Sequence, residues 1–207
     1  MPAAPRHMAQ LPVYLLRAAR GGAFAADPCP PLDLRLDATE RARGEAELER
    51  RLGARCSGQM RIGVFAEATG AKAYPPAWWQ SLQAALVQRW PSAVFFEIAP
   101  VDGQPRLTGV PASFHSPDVR QVAAVMAGLD RFLSADCGVM HLAAAAGVPT
   151  AGLFSVTDLA TYAPYGDGHF ALDTRGRTPP DVAAVLAARC EPLRGAGAGV
   201  SAADQAG

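Results

Sequence analysis

The sequence predicts an α/β protein with a doubly wound parallel sheet, and three observations carry that prediction. From Gln59 onward, short apolar runs alternate with amphipathic segments. Such alternation implies parallel strands joined by helical crossovers, because a parallel neighbour needs a long return connection of right-handed sense. The 207 residues are half hydrophobic and only 18% charged, which suits one full domain with extensions and excludes a disordered or fibrous chain. Finally, the segment from Asp130 to Gly166, built around Asp136-Cys-Gly-Val-Met-His141, sets a strand end directly before a helix start. An anion is readily held at such a junction.

Element by element, Met1 to Gln10 carries no periodic pattern and is expected to fray. Leu11 to Ala19 has helical spacing and stops at Gly21-Gly22. Pro28-Cys-Pro-Pro31 is turn material, and Leu32-Asp-Leu-Arg-Leu36 alternates as an exposed or edge strand does. Asp37 or Thr39 then caps a charged, solvated helix from Glu40 to Leu52. Arg61 to Phe65 is a short buried strand. Pro76 opens a helix whose stripe is Trp78, Leu82, Ala85, Leu86 and Trp90. Ala93 to Ile98 and Ala112 to Phe114 are the second and third strands, and Ser116-Pro117 opens a helix through Val119, Val122, Val125 and Met126. Asp130 to Ser134 is the fourth strand, Gly138 to Ala146 a helix of small residues, Thr150 to Phe154 the fifth strand, and Asp181 to Arg189 a last helix. On this reading residues 1–58 form an N-terminal extension, 59–192 the sheet domain, and 193–207 a Gly/Ala/Ser tail expected to be disordered.

Charge and cysteine usage narrow the function. Lys plus Arg equals Asp plus Glu at 19 each, so broad electrostatic capture of nucleic acid is not expected. Cys29, Cys56, Cys137 and Cys190 contain no C-x-x-C pair, which argues against a zinc knuckle or disulfide scaffold. No apolar run approaches the roughly 18 residues that span a bilayer, and no secretory leader opens the chain. The expectation is a cytoplasmic protein, with peripheral contact to the inner membrane face left open.

In a doubly wound sheet the first strand lies beside the fourth, and ligands bind beyond the carboxyl ends of those two strands. Those ends carry the loop Glu67 to Pro75 and the turn Asp136 to His141, so topology brings Lys72 near Asp136-Cys137-Gly138. Free N–H groups and the helix dipole at Cys137 and Gly138 suit a phosphate, and Gly138 places no Cβ in its way. Asp136 fixes the turn and His141 donates to an oxygen of the ligand; alternatively Asp136 is an ordinary helix cap and His141 a packing histidine. Lys72 supplies a point charge for a diphosphate or is simply a solvated lysine. Thr69 and Gly70 add hydroxyl and backbone contacts. Thr157 and Asp158, after the fifth strand, are weaker candidates, since Asp158 also suits a turn cap. Trp78 reads as core rather than as a stacking platform. Cys137 has no paired base in view and is not read as a nucleophile. No Asp-x-Asp clamp, P-loop or G-x-G-x-x-G fingerprint occurs, so no metal site is expected.

The run Phe132-Leu-Ser-Ala-Asp-Cys-Gly-Val-Met-His-Leu-Ala-Ala-Ala-Ala-Gly-Val-Pro-Thr150, followed by Leu153-Phe154, Thr157-Asp158 and Pro164-Tyr-Gly166, resembles the donor-binding signature of the ADP-heptose:lipopolysaccharide heptosyltransferases, glycosyltransferase family 9. Ala71-Lys-Ala-Tyr-Pro75 with Trp79 is similar to that family's Lys-x-Trp-Pro segment and its downstream Trp. Pro31 to Leu36 and the charged helix after it resemble the connector between the family's two domains. The resemblance spans roughly residues 10 to 190. It implies the C-terminal Rossmann-like domain of a GT-B glycosyltransferase, acting in lipopolysaccharide or cell-surface glycan synthesis. It further implies that Lys72 meets the donor diphosphate, that Asp136, Cys137 and Gly138 form the phosphate turn, and that His141 lines the same site. The donor would be a nucleotide-diphosphate sugar, ADP-heptose by resemblance, with no cofactor. Three departures stand out: Cys137 replaces Thr or Ser, Ser155-Val156 replaces Gly-Pro, and only Asp102 stands near the place of the ribose-holding Glu. The residues before Pro31 leave no room for the acceptor domain that carries the family's base, so no catalytic residue is expected here and an N-terminal-domain protein partner is implied. The competing expectation is a non-catalytic α/β module that works through protein partners.

Overall fold

The computed structural model describes residues 5–21 and 28–190. The expectations for Met1 to Ala4, for Gly22 and for the tail from 193 lie outside these residues. Six strands form one parallel sheet: β1 (Met60–Phe65), β2 (Ala93–Ile98), β3 (Ala112–Phe114), β4 (Arg131–Ala135), β5 (Thr150–Phe154) and β6 (Phe170–Asp173), in the order β3-β2-β1-β4-β5-β6. Every neighbouring pair is parallel. The winding reverses between β1 and β4, where Ile62 pairs with Arg131 and Phe65 with Ser134. This is the α/β architecture read from the sequence.

The helices are α1 (Leu11–Ala19), α2 (Ala38–Leu52), α3 (Pro76–Arg89), α4 (Val119–Met126), α5 (Gly138–Ala145), α6 (Leu159–Tyr162) and α7 (Pro179–Cys190). A parallel sheet must be covered on both faces, and strand alternation sorts the side chains accordingly. Ile62, Val64, Phe95, Leu133 and Leu153 pack with Leu82, Leu86, Val182 and Leu186 of α3 and α7. Phe65, Phe96, Ile98 and Phe132 pack with Leu48, Val122, Met126 and Ala143 of α2, α4 and α5. Helix α2 keeps its charged side in solvent and buries Gly44 and Leu48. Asp37 starts it with a full capping box: its carboxylate accepts the Glu40 N–H, and Glu40 accepts the Asp37 N–H in return.

Four local expectations are corrected. Leu32 to Leu36 is not a strand, because the Asp33 carboxylate accepts the Arg35 N–H and Arg35 takes a left-handed φ of 48°; the segment instead donates the Leu34 N–H to the carbonyl of Ala145. The α3 stripe begins at Trp79, not Trp78. Pro75 and Pro76 start the helix, and Trp79 shares a face with Leu82 and Leu86, three and seven residues on. Trp79 is 3% exposed, whereas Trp78 lies to the side, stacked on Tyr74 with ring centroids 4.1 Å apart. Met8–Gln10 forms a 3-10 turn instead of irregular chain. His7 caps it by accepting the Ala9 N–H at Nδ1, which leaves Nε2–H to donate to the carbonyl of Ala163, 3.0 Å away. The stretch after β5 also holds two elements the sequence reading lacked, the single-turn α6 and the strand β6. At four residues each they are too short to show a period.

Candidate functional site

β1 and β4 are parallel neighbours, so the segments leaving their carboxyl ends emerge side by side. After β1 the chain makes a 3-10 turn over Gly70–Lys72, closed by the Ala73 N–H donating to the Gly70 carbonyl, with Gly70 at φ 60°. After β4 it passes Asp136 and enters α5 at Gly138. The Lys72 ammonium stands 3.6 Å from Asp136 Oδ2. Topology read from the sequence thus brings together the two residues it named.

Cys137, not Asp136, precedes the first helical turn. Its backbone is extended (φ −160°, ψ 174°), and its side chain makes no capping bond, so the first-turn amides of α5 are left uncapped by it. The thiol instead rests 3.4 Å from the Ser134 hydroxyl. Gly138 is exposed, and a Cβ there would meet nothing within 4 Å, so the approach to these amides is open. The reading of Asp136 as an ordinary helix cap is therefore set aside. Its buried carboxylate accepts the Thr157 hydroxyl at 2.5 Å and faces Lys72. His141, one turn into α5, is half-buried. Burial pushes its pKa down, the nearby Asp136 charge pulls it up, and the His7 ring pushes it down again.

The remaining candidates separate. Thr69 is exposed at the start of the 3-10 turn, with its hydroxyl unused as a cap. Asp158 caps α6, accepting the Ala160 N–H and the Thr161 hydroxyl, and stands 3.5 Å from Arg6. Asp102 is bound by Arg106, whose guanidinium lies 2.7 Å from it and 2.9 Å from Glu67. Among the described residues, no group of three or more His, Cys, Asp or Glu could hold a metal ion.

One residue important to this geometry was missed in the sequence. The Tyr74 hydroxyl lies 2.7 Å from Thr174 Oγ1, and the Thr174 hydroxyl in turn donates to the Phe154 carbonyl. Burial, the largest influence, raises its pKa, so it stays protonated and able to donate. Tyr74 thereby ties the Lys72 turn to the carboxyl ends of β5 and β6. Its signal in the sequence was the aromatic two residues after Lys72, but its partner Thr174 follows a strand that no periodicity marks.

An open, all-parallel α/β sheet with helices on both faces and a winding reversal between β1 and β4 defines a Rossmann-like domain. The sequence model of glycosyltransferase family 9 (heptosyltransferase) matches residues 3–182, and the chain belongs to that family. Its fold is similar to that of ADP-heptose lipopolysaccharide heptosyltransferase II of E. coli, with TM-score 0.67 and 17% identity over 90% of this chain and 62% of that one. It is also similar to a family 9 glycosyl transferase of Veillonella parvula (TM-score 0.63, 19% identity, 91% and 53% covered). Heptosyltransferase WaaC of E. coli with ADP aligns with TM-score 0.56 and 20% identity over 89% and 56%. The chain thus spans 53 to 62% of the length of these structures. A search of curated proteins finds no match. No helix among the described residues is long and apolar enough to cross a membrane.

Proposed function

We propose that this chain binds the donor of a heptosyltransferase reaction, a nucleotide-diphosphate sugar of the ADP-heptose type. The observation that carries the reading is the approach of Lys72 to Asp136, two residues before the open amino end of α5, at the β1/β4 switch point. The amides of Gly138 and its successors take one phosphate through the helix dipole. Lys72 sits across the turn to neutralise the other, which is the charge that grows when the diphosphate leaves in glycosyl transfer. His141, one turn into α5, and the exposed Thr69, at the start of the Lys72 turn, are assigned as further donors. Asp158, engaged as a cap, has no direct part. Support from relatives comes from WaaC of E. coli, whose structures hold ADP and ADP-2-deoxy-2-fluoro heptose.

Sugar transfer additionally needs an acceptor surface and a base to deprotonate the acceptor hydroxyl. We assign both to a second Rossmann-like half facing this one, and place the activity in lipopolysaccharide or related cell-surface glycan synthesis. Calorimetric titration with ADP and ADP-sugars tests the donor assignment: saturable binding is expected, and absence of binding at millimolar ligand would end it.

A further inference from the structure

We infer that Thr157 is a positioning residue for Lys72, acting through Asp136 to keep the ammonium available to a diphosphate. This inference rests on the donor-binding reading above. Two groups converge on one atom. Asp136 Oδ2 accepts the Thr157 hydroxyl at 2.5 Å and lies 3.6 Å from Lys72 Nζ. The Asp136 side chain is only 8% exposed, so water contributes little to its solvation and its protein partners decide where its charge is directed.

The ammonium at 3.6 Å is attracted by the carboxylate but does not reach the 2.7 to 2.9 Å typical of a charge-assisted bond. Thr157 accounts for that spacing by fixing the carboxylate: its bond holds Oδ2 toward the β5–α6 corner and shares that oxygen's charge, so Lys72 is drawn less fully onto it. An ammonium drawn fully onto Asp136 would have one donor committed and much of its charge cancelled. Held off, it presents its donors to a ligand at the α5 terminus. Thr157 is itself fixed from the next residue, since Asp158 caps α6 and pairs with Arg6. The hydroxyl therefore belongs to a rigid corner between β5 and α6, and it reaches Asp136 across 21 residues of sequence.

Direct ligand contact is a different role and gives a different result. A contact residue would lose affinity independently of Lys72, whereas a residue acting through Asp136 on Lys72 would have no further effect once the ammonium is gone. A double-mutant cycle separates the two, with ADP and inorganic pyrophosphate as probes in calorimetry. Thr157→Val is expected to weaken both probes about tenfold, in line with losing one hydrogen bond to a charged group. Thr157→Ser should restore wild-type binding, and Thr157→Val in a Lys72→Ala background should add less than twofold. Thermal melting of each variant establishes that it is folded, and Thr157→Ala substitutes if the valine variant is not. An undiminished tenfold loss in the Lys72→Ala background, or failure of the serine variant to restore binding, overturns the positioning role while leaving donor binding intact. Absence of ADP binding by the unaltered protein overturns both.

Discussion

The Lys72 ammonium and the Asp136 carboxylate face each other across 3.6 Å, from two segments 64 residues apart that meet because β1 and β4 are neighbours in the sheet. Lys72→Ala removes the mobile cation opposite the α5 terminus. ADP affinity should fall about tenfold or more, the scale of one charge-assisted contact to phosphate. Trp78→Ala removes a ring stacked on Tyr74 but no charge, and should change ADP affinity less. Calorimetry on both folded variants makes the comparison, and equal losses would remove Lys72 from the site.

His141 makes stability depend on pH with a definite sign. Its folded-state pKa lies below the ordinary 6.5, chiefly through burial, so the unfolded chain binds more protons in the window just beneath that value. Stability therefore rises with pH through the window, is fully present above 6.5, and is lost on acidification. His169 is shifted the same way by burial. Glu97, raised by burial despite accepting the Arg106 and Leu107 N–H groups, acts with the opposite sign above 4.5. Melting curves between pH 7.5 and 5.5 should thus fall less steeply for His141→Gln than for the unaltered protein, with a residual slope from His169. An unchanged slope would remove His141 as a contributor.

The two adjacent tryptophans should respond oppositely to their neighbours' roles. Trp79 is buried against Leu82 and Leu86, and truncation to Ala should cost about 3–5 kcal/mol. Trp78→Ala should cost clearly less, since Trp78 is only half-buried. The Trp79 indole N–H has no hydrogen-bond partner, so Trp79→Phe gives up no bond and should cost less than about 1.5 kcal/mol. Urea denaturation ranks the three variants, and a Phe variant as unstable as Ala would show that ring volume alone governs the site.

That tryptophan pair also shows where sequence reading stops. Strands β1 to β5 were legible because each is a bounded apolar run, and the β1/β4 adjacency followed from their alternation with helices. Lys72 and the Asp136 turn were legible for the same reason: their position depends on strand order, not on side-chain detail. Helix phase at α3 was not, because both adjacent tryptophans satisfy a helical apolar pattern with Leu82 and Leu86. The hydroxyl contacts were hidden as well. Thr157 to Asp136 and Tyr74 to Thr174 join residues 21 and 100 positions apart, and a single hydroxyl bond leaves no periodic trace. Asp136 could be read as a cap until the chain was seen to begin α5 one residue later.

Gly44 offers the last test, and there the usual rule reverses. Gly to Ala inside a helix ordinarily stabilises by about 1 kcal/mol, through propensity alone. At Gly44 a Cβ would lie 2.0 Å from the carbonyl oxygen of Ala124, because α2 and α4 cross with their backbones in contact. The obstacle is backbone, which cannot rotate away, so the helices must separate and Leu48 must leave its fully buried seat. Gly44→Ala should therefore destabilise by about 1–3 kcal/mol, the cost of overpacking, in chemical denaturation. ADP affinity of the folded variant should be unchanged, because α2 covers a face of the sheet while Lys72 and the α5 terminus lie at its carboxyl edge. A stabilised Gly44→Ala would mean that α2 and α4 do not meet at this crossing.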